Sequence, residues 1–197
     1  TWLLLSRSFL RLATSGGSAA KARYREKKAR VCSLPTALLG KECRRFVSSP
    51  NYMLNCGLGV LLIPAAGVLL LVKGGEWMAP LKAMLPGAES TLAALAISVA
   101  CLLASMNDMA APSVSLEGKS LWVLQSLPVS AWEVLKAKLK MQLVFTGIPM
   151  LVFLACALPV LGLSPVLSLL TAAGSLLAVL LLALFGLTMG LKMPNLH

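Results

Sequence analysis

Seven carboxylates, five cysteines and a single histidine are the side chains of this chain best suited to acid–base, nucleophilic or metal chemistry. The carboxylates Glu26, Glu42, Glu76, Glu89, Asp108, Glu117 and Glu133 are scattered. They form neither the His-Glu-x-x-His spacing of a zinc hydrolase nor the paired acidic motif of an intramembrane protease. His197 stands at the end of the sequence, so a Ser-His-Asp triad or a histidine-rich metal site lacks material. Gly118-Lys119-Ser120 invites a phosphate loop, but that loop needs G-x-x-x-x-G-K-[ST], and Ser113 occupies the first glycine's place. No strand pattern precedes it, so no nest of backbone amides is expected there. Cys32, Cys43, Cys56, Cys101 and Cys156 contain no C-x-x-C pair, and three lie in apolar runs. They read as small apolar thiols rather than a disulfide or zinc framework. The expectation is a chain with no catalytic residue, no cofactor and no metal site, and hence not itself an enzyme.

The elements that position these residues belong in lipid. The chain is 58% apolar and 13% charged, with a mean hydropathy of +0.84. A soluble domain carries about 25% charged residues, so the surplus apolar side chains must face something other than water. Four runs are long enough to cross a bilayer: Tyr52–Val72, Thr91–Met109, Met141–Gly162 and Val166–Leu191. Pro64 and Pro149 fall inside two of them, and a membrane bundle tolerates such prolines; Pro149 is expected to kink its helix. Gly57, Gly59 and Gly67 offer small faces, and Gly186-Leu-Thr-Met-Gly190 is a GxxxG match for close helix packing. Residues 73–90 read as a loop with an interfacial Trp77, and Gly162 to Pro165 as a tight turn. Asp108, at the end of the second span, reads as solvated, with a role at membrane depth as the lesser alternative. The fold class is all-α: a polytopic membrane protein of about four transmembrane helices with cytoplasmic interfacial helices.

Charge placement sets the orientation. Eleven of the eighteen Lys and Arg residues lie within the first 45 positions, against only Glu26 and Glu42. A basic block can bind nucleic acid, but beside membrane spans it reads as positive-inside retention facing anionic lipid. Thr1 is followed by Trp2-Leu-Leu-Leu5 and then Arg7 and Arg11, with no cleavage site. The chain is therefore expected to be a fragment that opens on the tail of an earlier span. Pro35 opens a helix running to about Val47, with Leu38, Leu39 and Phe46 towards lipid and Lys41, Arg44 and Arg45 towards headgroups. Ser49-Pro50 ends it, and Asn51 is expected to cap the next helix.

The long polar stretch Ser113–Lys140 joins two of the spans. A short helix is expected to start near Ser115 and end before Pro128. A second starts at Ser130, where Ser130-Ala-Trp-Glu133 is a capping box flanked by a Val129–Val134 staple. Trp132, Leu135 and Leu139 fall on one face, and Glu133, Lys136 and Lys140 on another, as suits a helix at a membrane surface before it enters the bilayer. Ser115-Leu-Glu-Gly-Lys-Ser, followed by Leu-Trp-Val-Leu-Gln-Ser-Leu-Pro-Val-Ser, resembles the cytoplasmic loop of a bacterial ABC transporter permease family. In that family a Ser-x-Glu-Gly-Lys segment precedes a Leu-Pro-x-Ser turn. Lys41-Glu-Cys-Arg-Arg-Phe46 with Ser49-Pro-Asn-Tyr52 and Asn55 is similar to the family's entry into a span. A weaker match is Leu191-Lys-Met-Pro-Asn, and the likeness covers roughly residues 35–197.

The resemblance implies a permease subunit of an ABC-type exporter, coupled to ATP hydrolysis on a separate ATPase subunit. It makes Ser115, Glu117, Gly118, Lys119, Trp122, Pro128, Ser130 and Glu133 candidates for the loop that meets the ATPase. The implied partners are that ATPase, the lipid bilayer and a second permease copy or homologue, with no nucleic acid. The chain divides into a basic linker and interfacial helix (1–50), a first transmembrane hairpin (51–109), a coupling-type loop (110–140) and a second hairpin (141–197). It is expected in the cell membrane with the basic segment and the 110–140 loop cytoplasmic, because Lys73 and Lys82 alone fall on the other side. The alternative is a non-transporting membrane scaffold that binds a cytoplasmic partner.

Overall fold

The computed structural model describes residues 32–84, 87, 89–118 and 121–193. The expected basic linker over 1–31, Lys119, Ser120 and His197 lie outside the described residues. Those described contain helices and no strand. The helices are α1 (Leu34–Ser48), α2 (Pro50–Met84), α3 (Glu89–Ser105), α4 (Ala110–Ser115), α5 (Leu121–Ser126), α6 (Ala131–Leu161) and α7 (Pro165–Lys192). Four segments are long and apolar enough to cross a membrane: α2, α3 with α4, α6 and α7. Leu61 and Leu169 are each 72% exposed, and leucines and valines along α2 and α7 are open in the same way. So large an apolar surface is stable only against lipid. The chain is an all-α polytopic membrane protein.

α2 packs along α6, α7 packs on α3, α4 and α6, and α1 lies against α6. The apolar core between the spans is built on Ile63, Leu92, Ala100, Met150, Phe153, Leu154 and Val179. Gly67 permits a close approach of α2 to α6, since a Cβ there would sit 2.9 Å from the Phe153 Cα. α6 ends on Gly162 at φ 62°, the left-handed conformation glycine adopts without strain, and Pro165 opens α7.

Several expectations need correction. α2 does not stop near Val72; it runs through Gly74, Gly75 and Pro80 to Met84. Gly74 is buried against the Val160 side chain, and Met78 and Leu81 pack on the core, so these residues gain more from packing than from a loop. The connection to α3 is correspondingly short. Asn51 lies inside the first turn of α2; Pro50 begins the helix, and the Ser49 carbonyl accepts from the Met53 amide at 2.9 Å. Leu38 and Phe46 are buried rather than facing lipid. Phe46 stacks edge-on to Tyr52, with ring centroids 5.2 Å apart, and lies 5.3 Å from Phe145. That face of α1 also carries Glu42, which is buried with them, so α1 docks on the bundle through this face.

Candidate functional site

The second span is broken. α3 ends at Ser105, and α4 resumes only at Ala110. Two local features explain the restart. Pro112 lacks the amide that would bond the Asp108 carbonyl in a continuous helix, and its ring would clash there; in the first turn of a new helix neither matters. Asp108 supplies the cap: its Oδ1 accepts from the Ala110 amide at 3.1 Å and the Ala111 amide at 3.3 Å. Asp108 is therefore half-buried and engaged, not merely solvated as expected.

The break frees main-chain groups, and side chains from two other helices satisfy them. Gln142 Nε2 donates to the Asn107 carbonyl at 2.6 Å, while Gln142 Oε1 accepts from the Met109 amide at 2.7 Å. The Tyr52 hydroxyl donates to the Met109 carbonyl at 2.7 Å. Asn107, fully buried, donates through Nδ2 to Thr146 Oγ1 at 2.9 Å and to the Phe145 carbonyl at 3.2 Å. Asn107 Oδ1 accepts no hydrogen bond from any described residue.

A buried charge cluster adjoins the break. Glu117 Oε1 lies 3.1 Å from Lys41 Nζ, 3.1 Å from Arg45 Nη1 and 3.2 Å from Lys138 Nζ. Glu42 pairs with Lys138 at 3.3 Å and with Arg45 at 3.7 Å. Lys138 Nζ also donates to the Ser113 carbonyl at 3.0 Å, so its three protons are all placed. Burial alone would push the Glu117 carboxyl up. The attraction of Lys138, the hydrogen bond and charge of Lys41 and the hydrogen bond of Arg45 outweigh it and hold the group below its ordinary range. Removing one member of such a cluster strands a buried charge. The cluster joins three elements: α1 through Lys41, Glu42 and Arg45, the α4–α5 connection through Glu117, and α6 through Lys138.

The chain matches no family model, no curated protein and no solved structure. Its reading rests on the residues themselves.

The structure disperses the candidate loop residues. Ser115 ends α4 instead of starting a helix. Glu117 and Gly118 lie in the turn that follows, with Glu117 pointing into the charge cluster rather than outward. Trp122 on α5 is 68% exposed, and Pro128 is exposed ahead of α6. Ser130 and Glu133 form both halves of the expected capping box: Ser130 Oγ accepts from the Glu133 amide at 3.3 Å, and Glu133 Oε2 from the Ser130 amide at 3.2 Å. Gly186 and Gly190 do mark a close approach, to the segment that restarts the broken span. A Cβ at Gly186 would lie 2.5 Å from Asp108 Oδ1, and one at Gly190 would lie 2.6 Å from the Ala111 carbonyl oxygen.

Sequence reasoning passed over Glu42, Asn107, Lys138, Gln142 and Thr146 as parts of one site. A signal for three of them was present. Lys138, Gln142 and Thr146 recur every four residues, which puts them on one face of α6 as it passes from its charged start into its apolar run. Among the described residues no three His, Cys, Asp or Glu side chains converge as metal ligands. Cys43, Cys56, Cys101 and Cys156 form no disulfide.

Proposed function

We propose that this chain is a membrane-spanning permease subunit of an ABC-type exporter, which couples ATP hydrolysis on a separate ATPase subunit to substrate movement. The observation that carries the reading is mechanical. The connection between the second and third spans is tied through Glu117 to charges on both α1 and α6. A displacement of that connection reaches two helices at once, as a coupling loop requires. The likeness of Ser115 to Ser130 to a permease loop points the same way. In this reading the charged end of the bundle faces the cytoplasm of a cell membrane, as the Lys and Arg bias favours. The surface offered to the ATPase is the exposed side of the connection, including Trp122 and Leu127, which are 68% and 47% exposed, and not the buried Glu117.

Purification from native membranes in mild detergent tests this reading. An ATP-hydrolysing subunit is expected to accompany the tagged chain. Trp122→Glu with Leu127→Glu should lower its co-purification without disturbing the fold, because both side chains are exposed. A folded, correctly inserted chain that never captures a nucleotide-hydrolysing subunit would leave the membrane scaffold as the better reading.

A further inference from the structure

We propose that α6 carries a binding site for one anionic phospholipid of the surrounding bilayer, with the lipid phosphate on Lys136 and Lys140 and an acyl chain along Val144 and Ile148. The two lysines line a pocket of about 320 Å³ together with Pro35, Glu133 and Ala137, where the start of α1 lies beside α6. Lys41, Arg45 and Lys138, at the same end of the bundle, are committed to Glu42 and Glu117. Among the described residues neither Lys136 nor Lys140 forms an ion pair. The Lys136 ammonium lies 5.9 Å from the centre of the Trp132 ring, a cation–π contact that positions the charge without neutralising it. Glu133 is the one carboxylate in the lining. Its Oε2 accepts from the Ser130 amide at 3.2 Å and the Ser130 hydroxyl at 3.1 Å. It precedes Lys140 by about 10 Å along the helix, so it opposes a phosphate at Lys140 only weakly.

The exposed surface continues down the same helix. Trp132, Lys136, Lys140, Val144 and Ile148 recur every four residues and all are exposed, so they form one stripe that winds slowly round α6. The stripe changes from cationic to apolar between Lys140 and Val144. Lys136 and Lys140 are about 6 Å apart along the axis, which fits within the polar layer of a bilayer, about 5–8 Å deep on each side. Val144 and Ile148 then lie at hydrocarbon depth. The ligand that matches this stripe is an amphiphile with an anionic phosphate at one end and hydrocarbon at the other. A free phosphate would use the lysines and leave the apolar half unmatched. An acidic surface on a water-soluble protein could not follow the stripe below the headgroups. The site rests on α6 spanning a membrane and on no protein partner, so it stands apart from the exporter reading.

The test titrates the full chain, stripped of lipid in a neutral detergent, with phosphatidylglycerol or phosphatidylcholine of identical acyl chains, and counts bound lipids by native mass spectrometry. A lysine at an anionic membrane surface is worth roughly fivefold in affinity, so two predict that the first phosphatidylglycerol binds about 25-fold more tightly than phosphatidylcholine. Lys136→Gln with Lys140→Gln should abolish that preference. Arg44→Gln with Lys192→Gln removes the same charge from exposed positions outside the pocket and should leave it intact. Equal losses in the two double variants would mean that binding follows net charge, and would overturn the site. Inorganic phosphate should displace the lipid no better than chloride at equal ionic strength; stronger displacement by phosphate would assign the lysines to a free anion and overturn the lipid. A second measurement needs no variant. Phosphatidylglycerol should raise the melting temperature of the unaltered protein above that in phosphatidylcholine, and equal midpoints would refute the proposal.

Discussion

Gly190→Ala should destabilise the protein, and Gly40→Ala should stabilise it. The two changes are chemically identical, so only their surroundings can separate them. A Cβ at Gly190 would lie 2.6 Å from the Ala111 carbonyl oxygen and 3.0 Å from the Ala111 Cα. Both are main-chain atoms, and the Asp108 cap holds that turn in place. The overlap must be relieved by moving α7 away from α4, an overpacking cost of about 1–3 kcal/mol. Against it stands the helical preference for alanine over glycine, up to about 1 kcal/mol. The net loss is about 1 kcal/mol, and at most roughly 2. Nothing lies within 4 Å of a Cβ at Gly40, so there the preference acts alone and the gain is up to about 1 kcal/mol. Gly186→Ala should also destabilise. The Asp108 carboxylate can swing clear of the new methyl only by releasing the Ala110 and Ala111 amides, which forfeits a cap of about 1 kcal/mol. Thermal unfolding followed by tryptophan fluorescence in detergent resolves this, since 1 kcal/mol moves the midpoint by about 2–4 °C in a chain of this size. Midpoints for Gly190→Ala and Gly40→Ala that shift in the same direction would refute the close approach of α7 to the restarted span.

Lys138→Met should cost about 3 kcal/mol, because it takes the most buried cation from two buried carboxylates and leaves Glu42 only the longer contact to Arg45. The double variant with Glu42→Gln should recover part of that loss, and a melting curve unchanged by Lys138→Met would sink the cluster. Stability should also fall in acid. Glu117 is held below its ordinary value of 4.5, so its contribution is present above that pH and is lost as pH drops through the lower folded value. Glu117→Gln should flatten that limb of a stability profile taken from about pH 6 downwards, and a limb equally steep in both proteins would contradict the assignment. Met84→Cys, at a position 81% exposed at the end of the first hairpin opposite the charge cluster, should react with an impermeant maleimide on intact cells. Labelling only after lysis would reverse the proposed orientation.

What could be read from the sequence follows from the range of the forces involved. The capping box at Ser130 and Glu133 is local, within one turn, and both its hydrogen bonds are found. The four spans were legible from apolar run length. Their ends were not, because Gly74 and Gly75 look like punctuation until the Val160 side chain is seen against Gly74. The Glu42–Lys138 pair joins positions 96 residues apart, a distance no local pattern reports. Leu38 and Phe46 read as lipid-facing because Lys41, Arg44 and Arg45 nearby suggest a surface helix; the buried Glu42 between them instead belongs to a docked face. The break at 106–109 was partly written in Asp108 and Pro112, four residues apart. The residues that make it tolerable, Tyr52 and Gln142, lie in other helices.

That dependence has a consequence for biogenesis. The main-chain groups exposed by the break at Asn107 and Met109 are satisfied by Tyr52, which is synthesised before them, and by Gln142, which is synthesised after. When the second span leaves the ribosome, half of its complement does not yet exist. In hydrocarbon those amide and carbonyl groups would each carry a penalty of several kcal/mol. The first hairpin is therefore not a finished insertion unit. It must remain within reach of water or of the insertion machinery until α6 arrives and closes the break, so the two hairpins mature together although they are made in sequence.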